Sequence, residues 1–214
     1  MRLPGKEYRV ICLFLLPLLF ISASCSQAVP EVRYVSACLI ADYQSAGKNP
    51  DVRLSLFVES AGDPLRLSCI EAVSADGYRW TVNSPSAAGG KDRKWAGCAN
   101  LRVPDGMDFP RGSYTVRCEN ADGEETLTSF SLDYDGRFLD AAADTVPVLM
   151  DEMNGRRNVA VFGKDGILIY YGKAEDALSS PAGIKGKFGR AGFFRSVWTT
   201  SDGNMVCLMP PENL

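Results

Sequence analysis

Apolar and polar side chains alternate in short segments between residues 30 and 135, and this alternation constrains the fold more than any other feature of the chain. A period of two places every second side chain on one face of an extended strand, whereas an amphipathic helix needs a period near 3.6. No convincing helical period precedes residue 136. The alternating segments begin at Val32, Val52, Leu65, Tyr78, Trp95, Tyr114 and Thr126.

Turn signals separate these segments at intervals of about 8–12 residues. Asp76-Gly77 is a strong hairpin signal because both residue types tolerate a positive φ, and Asn120–Gly123 makes a similar turn. A polar, glycine-bearing loop at residues 84–94 interrupts the series. About seven short strands in about 105 residues are typical of two antiparallel sheets packed face to face. The sequence therefore predicts a mainly β protein with a sandwich over residues 31–135.

The last predicted hairpin of this region carries a resemblance to a known class of domain. The segment Pro110–Val116 reads Pro-Arg-Gly-Ser-Tyr-Thr-Val and resembles the string that enters the penultimate strand of immunoglobulin-like and fibronectin type III-like domains. The turn at Asp122-Gly123 and the strand Phe130–Leu132 are similar to the rest of that hairpin. Trp80 is similar to the core tryptophan of such domains, and we expect it to be buried.

One position departs from the immunoglobulin pattern. Tyr114 stands four residues before Cys118 rather than two, so neither the immunoglobulin disulfide nor its tyrosine corner is carried over to this chain. The resemblance implies an immunoglobulin-like antiparallel scaffold for about half the chain. It specifies no ligand, because this architecture hosts many unrelated functions.

The composition changes after Gly136, and we expect a β-rich α+β region over residues 136–214. The segment Phe138–Met153 is the best helical candidate, although Pro147 would break or kink a helix there. Two hairpins follow, with turns at Gly163–Gly166 and Ser201–Asn204 and an apolar run on each arm. These elements would form either a small appendage or an extension of the sandwich, and the sequence leaves both arrangements open.

The segment Gly183–Arg195 combines four basic side chains, no acidic one and three phenylalanines with frequent glycine. One interpretation is a flexible basic and aromatic loop that contacts anionic lipid headgroups, acidic glycans or a partner protein. The other is an ordinary solvated loop whose phenylalanines pack into the core. The candidates for ligand or partner contact in this segment are Lys185, Lys187, Phe188 and Arg190.

Residues 1–24 have the three parts of a secretory signal: a basic start, the apolar run Val10–Ile21 and the small residues Ser22–Ser24. The run of about 12 residues is roughly 18 Å long as a helix, too short for the ~30 Å hydrocarbon core of a bilayer. The string Ser22-Ala23-Ser24-Cys25 resembles the lipobox of bacterial lipoproteins. The resemblance implies that Cys25 receives a diacylglyceryl group and becomes the first residue of a membrane-anchored protein, with a tether over residues 25–30.

A second processing route predicts a different mature protein. Ser26-Gln27-Ala28 is a small-x-small site for ordinary signal peptidase, and cleavage there would release a soluble protein that begins at Val29. Removal of residues 1–24 takes three basic side chains and one acidic one from the totals of 23 and 26, so the net charge becomes about −5. This charge argues against nucleic acid as the main partner.

The chain has seven cysteines and no histidine. The absence of histidine excludes Ser-His-Asp and Cys-His catalysis and every His-ligated metal site. Because Cys-x-x-Cys occurs nowhere, we expect neither a metal nor a cofactor. Cys12 leaves with the signal and Cys25 carries the lipid, so five cysteines are left as buried thiols or as partners in one or two disulfides. These five are Cys38, Cys69, Cys98, Cys118 and Cys207.

Paired carboxylates are the one catalytic option that the absence of histidine leaves fully open, and glycosidases use such pairs. Asp133 and Asp135 lie at the end of a predicted strand, and Asp151 and Glu152 lie at the end of the predicted helix. No flanking pattern distinguishes either pair from solvated surface charges. We therefore expect no catalytic residue among them.

Trp95, which adjoins the polar loop, is the tryptophan most suited to an exposed position where it could stack on a sugar. The whole sequence predicts a lipid-anchored protein of the bacterial cell envelope, periplasmic or surface-exposed. We expect it to act as a non-catalytic binding or structural module with a protein or glycan partner. The alternative is a secreted carbohydrate- or peptidoglycan-active enzyme that uses paired carboxylates.

Overall fold

Most strands form where the apolar alternation predicts them, but Ser86–Ala88, within the segment 84–94 expected as a loop, is also a short strand. The computed structural model describes residues 29–89, 94–175, 178 and 180–214. The expected signal segment 1–24 and Cys25 therefore lie outside the described residues, and only Val29 and Pro30 of the expected tether lie within them.

The described residues form thirteen strands and three short helices, together with one 3₁₀ turn at Pro64–Arg66. The first eight strands are β1 Val32–Asp42, β2 Asp51–Ser60, β3 Leu67–Ser74, β4 Arg79–Asn83, β5 Ser86–Ala88, β6 Trp95–Leu101, β7 Gly112–Asn120 and β8 Glu125–Leu132. The rest are α1 Arg137–Asp140, α2 Val146–Glu152, β9 Arg156–Gly163, β10 Leu168–Lys173, α3 Pro181–Lys187, β11 Ala191–Thr199, β12 Met205–Leu208 and β13 Glu212–Asn213.

The strands make two sheets that face each other, which confirms the prediction of a mainly β sandwich. The long sheet has nine strands in the order β10-β9-β11-β12-β1-β2-β6-β5, with β13 paired to β11 as well. The short sheet has four strands in the order β4-β3-β7-β8. Strands β1, β2 and β6 stand where an immunoglobulin-like sandwich has A, B and E, while β3, β7 and β8 stand where it has C, F and G.

The alternating side chains that predicted the strands fill the space between the two sheets. Trp80 on β4 is 7% exposed, and its indole N–H donates to the carbonyl of Arg102 at 2.8 Å, as expected for a core tryptophan. The buried side chains of the same core include Leu39, Leu54, Leu56, Ile70, Val116 and Leu132. Burial of each such aliphatic side chain contributes about 1.5–3 kcal/mol to the free energy of unfolding.

The C-terminal region extends the long sheet, which is one of the two arrangements that the sequence leaves open. Strand β12 pairs with β1 in parallel, with Leu39 opposite Met205 and Asp42 opposite Leu208. Strand β11 pairs antiparallel with both β12 and β9. The first strand of the sandwich thus becomes an inner strand of a larger sheet.

Two helices cover parts of the long sheet that the short sheet does not reach. Helix α2 buries Val146 and Met150 in the same core as Cys207 of β12. Helix α3 buries Ile184 in a second, smaller core with Phe194 of β11. The second layer of the molecule is therefore made by the short sheet and by these helices.

Two expectations for the C-terminal region are wrong in detail. The single helix expected over Phe138–Met153 is broken into α1 and α2, and Pro147 stands in the first turn of α2, where a missing N–H costs nothing. The glycine-containing segment expected as a loop is helical up to Lys187. Its N-cap is Ser180, whose hydroxyl accepts from the backbone N–H of Gly183 at 3.2 Å.

Candidate functional site

The five cysteines expected after export are all free thiols. Cys69 and Cys118 occupy neighbouring strands, but Cys118 lies opposite Ile70 and shares its face. Cys69 therefore points to the opposite side of the short sheet, and the two sulfurs cannot bond. Cys207 lies on the inner face of the long sheet, opposite Ala41, whereas Cys38 lies on its outer face.

Burial makes these thiols poor nucleophiles. It raises the pKa of Cys118 to about 12 and that of Cys207 to about 12, and it also raises the pKa of Cys38 and of Cys69. A thiolate is the reactive form of cysteine, so these four groups stay protonated and inert at neutral pH. The structure therefore agrees with the interpretation as buried or half-buried thiols.

Trp95 is half-buried at the start of β6 and lies on the outer face of the long sheet. Its ring meets the ring of Tyr34 edge-on, with 6.0 Å between centroids, and Tyr34 itself is 61% exposed. The pair forms a small aromatic surface on a flat sheet face. Trp95 is thus partly accessible, but it does not line a cleft with the other contact candidates, Lys185, Lys187, Phe188 and Arg190.

The basic candidates lie around α3, on a different part of the molecule. Lys185 and Lys187 are exposed in the last turn of the helix, where cations interact favourably with the helix dipole. Phe188 is half-buried and packs against the ring of Tyr170 at 5.1 Å, and the Lys187 ammonium lies 5.6 Å from the same ring. Arg190 is exposed in the following turn. The structure does not bring these four residues together with Trp95.

The two candidate carboxylate pairs are joined by one arginine. Arg137 donates to Asp135 at 2.8 Å and to Glu152 at 2.9 Å. The hydrogen bond from Arg137 holds the pKa of Asp135 below its ordinary value of 3.8. A general acid needs a raised pKa, so Asp135 is unsuited to that role. Neither Asp133 nor Asp151 lines the groove described next.

A groove that no sequence pattern indicated opens between α2 and the inner face of the long sheet. We name it the α2 groove, and its volume is about 460 Å³. One wall comes from the start of α2, the floor from β9 and β11, and the other wall from the chain after β12. The lining residues on which the argument rests are Asp144, Pro147, Arg157, Ser196, Trp198 and Glu212.

Strand register determines the floor of the α2 groove. Arg157 on β9 lies directly opposite Trp198 on β11, so their side chains project from the same face with Cβ atoms about 4.5–5.5 Å apart. Ser196, two residues before Trp198, shares this face. The guanidinium of Arg157 donates to the hydroxyl of Ser196 at 3.1 Å.

The charge of Arg157 is not neutralised within the described chain. Across residues 29–89, 94–175, 178 and 180–214, no carboxylate lies within 4.0 Å of its guanidinium, whereas six other arginines have such a partner. Arg157 shares the absence of such a partner with Arg33, Arg66, Arg111, Arg156 and Arg190 in these residues. One hydrogen bond to Ser196 uses one of its five N–H donors. The remaining donors can bind a ligand carboxylate beside the half-buried Trp198 ring.

Acidic side chains stand at the rim of the same groove. Asp144 precedes α2 and Glu212 opens β13, and both are exposed. Carboxylates at these positions can accept hydrogen bonds from hydroxyl or amide groups of a ligand. The groove therefore combines an aromatic floor, a cation and acceptors, which is a typical arrangement for a polar ligand with an apolar face.

A second cleft, of about 320 Å³, lies between the start of β1 and the 3₁₀ turn. It is lined by side chains of both signs, among them Glu31, Arg33, Asp63 and Arg66.

Sequence reasoning missed the α2 groove because its parts are far apart in the chain. Arg157 and Trp198 are brought together only by the β9–β11 pairing. The available signal was that Trp198 stands on a segment predicted as a strand and that Arg157 directly precedes another, but the register between these segments cannot be derived from their patterns.

Within the described residues, no group of three or more Cys, Asp or Glu side chains is arranged to hold a metal ion. Nor does that part of the chain contain a helix with the length and apolar character needed to cross a membrane. A scan against models of known protein families gives no match, and a search of curated proteins gives none either.

Proposed function

We propose that this protein is a lipid-anchored, non-catalytic binding module of the bacterial cell envelope that holds a carboxylate-bearing glycan in the α2 groove. The observation that carries the proposal is the pairing of Arg157 with Trp198 on the groove floor. An aromatic ring offers a flat surface to the apolar face of a sugar. A guanidinium beside it suits a carboxylate on the same sugar or on its neighbour.

Three further features support a hydroxyl-bearing glycan over a purely apolar ligand. Ser196 fixes the guanidinium of Arg157 on the floor, which reduces the conformational entropy lost on binding. Asp144 and Glu212 offer acceptors for sugar hydroxyls at the rim. The groove is also an open cleft rather than an enclosed cavity, so a sugar could enter it without a conformational change.

The anchor is proposed from the sequence of the N-terminal segment. An acyl group on Cys25 would hold Val29 within about 14 Å of the lipid surface, since four residues span at most about 3.6 Å each. Such a short tether suits a protein that works on the surface of its membrane. It also suits a polymeric envelope glycan as ligand, because the ligand lies close to the same surface.

Calorimetric titration with soluble muropeptides tests the binding function, because muropeptides are sugars that carry carboxylates. The full chain, purified in detergent, is titrated with muropeptides and, as a neutral control, with chitotetraose. We expect muropeptides to bind more tightly than chitotetraose. Arg157→Gln should weaken the affinity about 10-fold or more, as expected for loss of a charged hydrogen bond, and Trp198→Ala should weaken it by a similar factor.

Matched variants outside the groove provide the control for this titration. Arg190→Gln and Trp95→Ala remove the same side-chain types from exposed or half-exposed positions. They should leave the affinity unchanged. Equal affinity in the wild type, Arg157→Gln and Trp198→Ala would contradict the assignment of the ligand to the α2 groove.

The anchor has its own test. Cys25→Ser should abolish incorporation of labelled fatty acid and partitioning into a detergent phase. Unchanged partitioning of this variant would refute the lipoprotein proposal, and a mature N-terminus at Val29 would support the alternative cleavage after Ala28.

A further inference from the structure

The charges that line the α2 groove do not balance. Among its described lining residues, Arg157 carries a positive charge, whereas Asp144 and Glu212 carry negative charges. One positive and two negative side chains give the lining a net charge of −1. A ligand that carries only carboxylates would be repelled by such a lining, because binding surfaces are generally complementary in charge to their ligands. The groove thus suits a ligand that carries a positive charge as well as a negative one.

The two acidic side chains stand on opposite walls of the α2 groove. Asp144 precedes α2 on one wall, and Glu212 opens β13 on the other. In the part of the chain that the structure describes, no lysine or arginine nitrogen lies within 4.0 Å of either carboxylate. A positive group of a ligand between the walls would therefore have a carboxylate on each side.

Strand register places Glu212 on the same face of the long sheet as Arg157. Glu212 lies directly opposite Phe194 of β11, whose side chain is buried in the second, smaller core. Residues that lie opposite each other project from one face, and so do residues two positions apart on a strand. Ser196 and Trp198 therefore follow Phe194 along this face, and Arg157 lies opposite Trp198.

The spacing between the two charges follows from this register. Ser196, whose hydroxyl accepts from the guanidinium of Arg157, is two residues from Phe194 on β11. Two residues of an extended strand span about 7 Å. The row that holds the guanidinium and the row that carries Glu212 are thus about 7 Å apart along β11. Charged groups on two adjoining sugars suit this spacing, whereas those of a free amino acid are attached to a single carbon and lie too close together.

Apolar side chains lie among the charged ones in the same groove. Met209 donates its backbone N–H to the carbonyl of Ser196 at 2.9 Å, and its side chain lines the groove together with Pro147 and Pro210. The ring of Trp198 adds a flat aromatic surface. The groove therefore offers apolar surface to sugar rings and opposite charges to the groups that these rings carry.

We propose that the ligand of the α2 groove is a zwitterionic glycan, in which an acidic sugar adjoins an amino sugar with a free amine. Arg157 binds the carboxylate, Glu212 and Asp144 bind the ammonium group, and the ring of Trp198 contacts one of the sugars. An ammonium group has three N–H donors and no acceptor, so carboxylates are its natural partners. An acetylated amine has lost this charge. The inference rests on the proposed function and adds a free amine to the carboxylate-bearing glycan.

Two disaccharides that differ only in one amine test this assignment. Both join glucosamine to N-acetylmuramic acid, which carries the carboxylate, and the glucosamine is acetylated in one disaccharide but free in the other. Calorimetric titration of the full chain at pH 6 keeps the free amine protonated. We expect the free-amine disaccharide to bind about fivefold more tightly than the acetylated one, as expected for an exposed ion pair.

Variants of Glu212 connect this preference with the groove. In Glu212→Gln the two disaccharides should bind with nearly equal affinity, because the charge that distinguishes them has lost its partner. In Glu212→Lys the acetylated disaccharide should bind more tightly, because the free amine then meets a like charge. The matched controls are Glu124→Gln and Glu124→Lys, at an exposed position between β7 and β8. They should keep the preference of the wild type.

Equal affinity of the wild type for the two disaccharides would overturn the zwitterionic ligand. So would a preference for the free amine that Glu212→Gln leaves unchanged, or the absence of binding by both disaccharides. Failure of the proposed function gives different results. The methyl ester of the free-amine disaccharide would then bind as tightly as the acid, and Arg157→Gln would leave the affinity for muropeptides unchanged.

Discussion

Tyr114 holds the chain at the start of strand β7 through contacts of its ring and its hydroxyl. The ring is 1% exposed and stacks on Phe130, with 4.7 Å between centroids. The hydroxyl donates to the carbonyl of Pro110, four residues earlier, a contact of the tyrosine-corner type. Burial raises the pKa of this hydroxyl well above its usual range, so it remains a donor at neutral pH. The spacing to Cys118 gave no indication of this contact.

Removal of the Tyr114 hydroxyl should destabilise the protein without changing its fold. Tyr114→Phe keeps the ring in place and leaves the Pro110 carbonyl without its donor, so we expect the free energy of unfolding to fall by about 1 kcal/mol. Urea denaturation measures the change. Tyr34→Phe is the matched control, because Tyr34 is 61% exposed. Equal losses in the two variants would contradict a structural role for the Tyr114 hydroxyl.

Residue-scale reasoning from sequence succeeded where burial follows directly from alternation. Trp80 lies on an alternating face and is buried as expected. It failed for the groove, because Arg157 and Trp198 belong to different strands whose register is set by the whole sheet. The sequence also did not predict how far Trp95 is exposed, because the ring of Tyr34 covers part of that surface.

At the scale of elements, α1 and α2 are linked by Arg137. The arginine is on α1, Asp135 precedes that helix and Glu152 ends α2. Arg137 therefore holds two short helices together although neither has a side-chain N-cap bond. Because its side chain is 53% exposed, solvent screens these ion pairs and their contribution is modest.

The ion pair between Arg137 and Asp135 should weaken at acid pH. The pKa of Asp135 is lower in the folded protein than its ordinary value of 3.8, so the folded state favours the ionised form. This stabilisation is fully present above the unfolded pKa and is lost as the pH falls through the folded pKa. Asp135→Asn should therefore lower Tm by no more than a few degrees at pH 6, and the difference from wild type should shrink as the pH falls below 3.8.

Thermal denaturation from pH 2 to pH 7 measures this difference. Asp133→Asn is the control, since Asp133 is exposed and has no ion pair among the described residues. A difference between Asp135→Asn and the wild type that is as large at pH 2.5 as at pH 6 would contradict the role of the ionised carboxylate.

The elements that sequence predicted best are those with a local cause. Strands followed from alternation, and hairpin turns followed from glycines such as Gly77 and Gly166, which have φ of +82° and +77°. Helix α3 was missed because its glycines weaken the local helical signal. It forms because Ser180 caps its first turn and Ile184 is buried against β11, and that burial depends on tertiary packing.

At the scale of the whole molecule, the sandwich and the C-terminal region share one sheet. Strand β12 stands between β11 and β1, and an ion network reinforces this connection. Arg195 of β11 donates to Asp42 of β1 at 2.6 Å, and Arg53 of β2 donates to the same carboxylate at 3.1 Å. Asp42 is 7% exposed, so removal of either arginine would leave a buried charge with less compensation.

The shared sheet predicts one cooperative unfolding transition for residues 31–214. Hydrogen exchange in increasing urea, followed by mass spectrometry, reports the opening free energy of each strand. The opening free energies of amides in β7 and in β11 should converge on one value, the global free energy of unfolding. The reason is that β11 cannot open without exposing β12 and then β1. Opening of β9–β12 at clearly lower urea, with β7 still protected, would instead indicate an independent C-terminal unit.

The class of fold, the positions of most strands and turns, and the burial of alternating residues follow from local sequence, because each of these depends on side chains within a few positions of one another. Tertiary structure alone decided that β12 inserts beside β1, that Arg157 meets Trp198 in a groove, and that Glu212 lines the same groove. These three features depend on which strands become neighbours and in which register. That choice minimises the free energy of the whole sheet and is not encoded in any single segment.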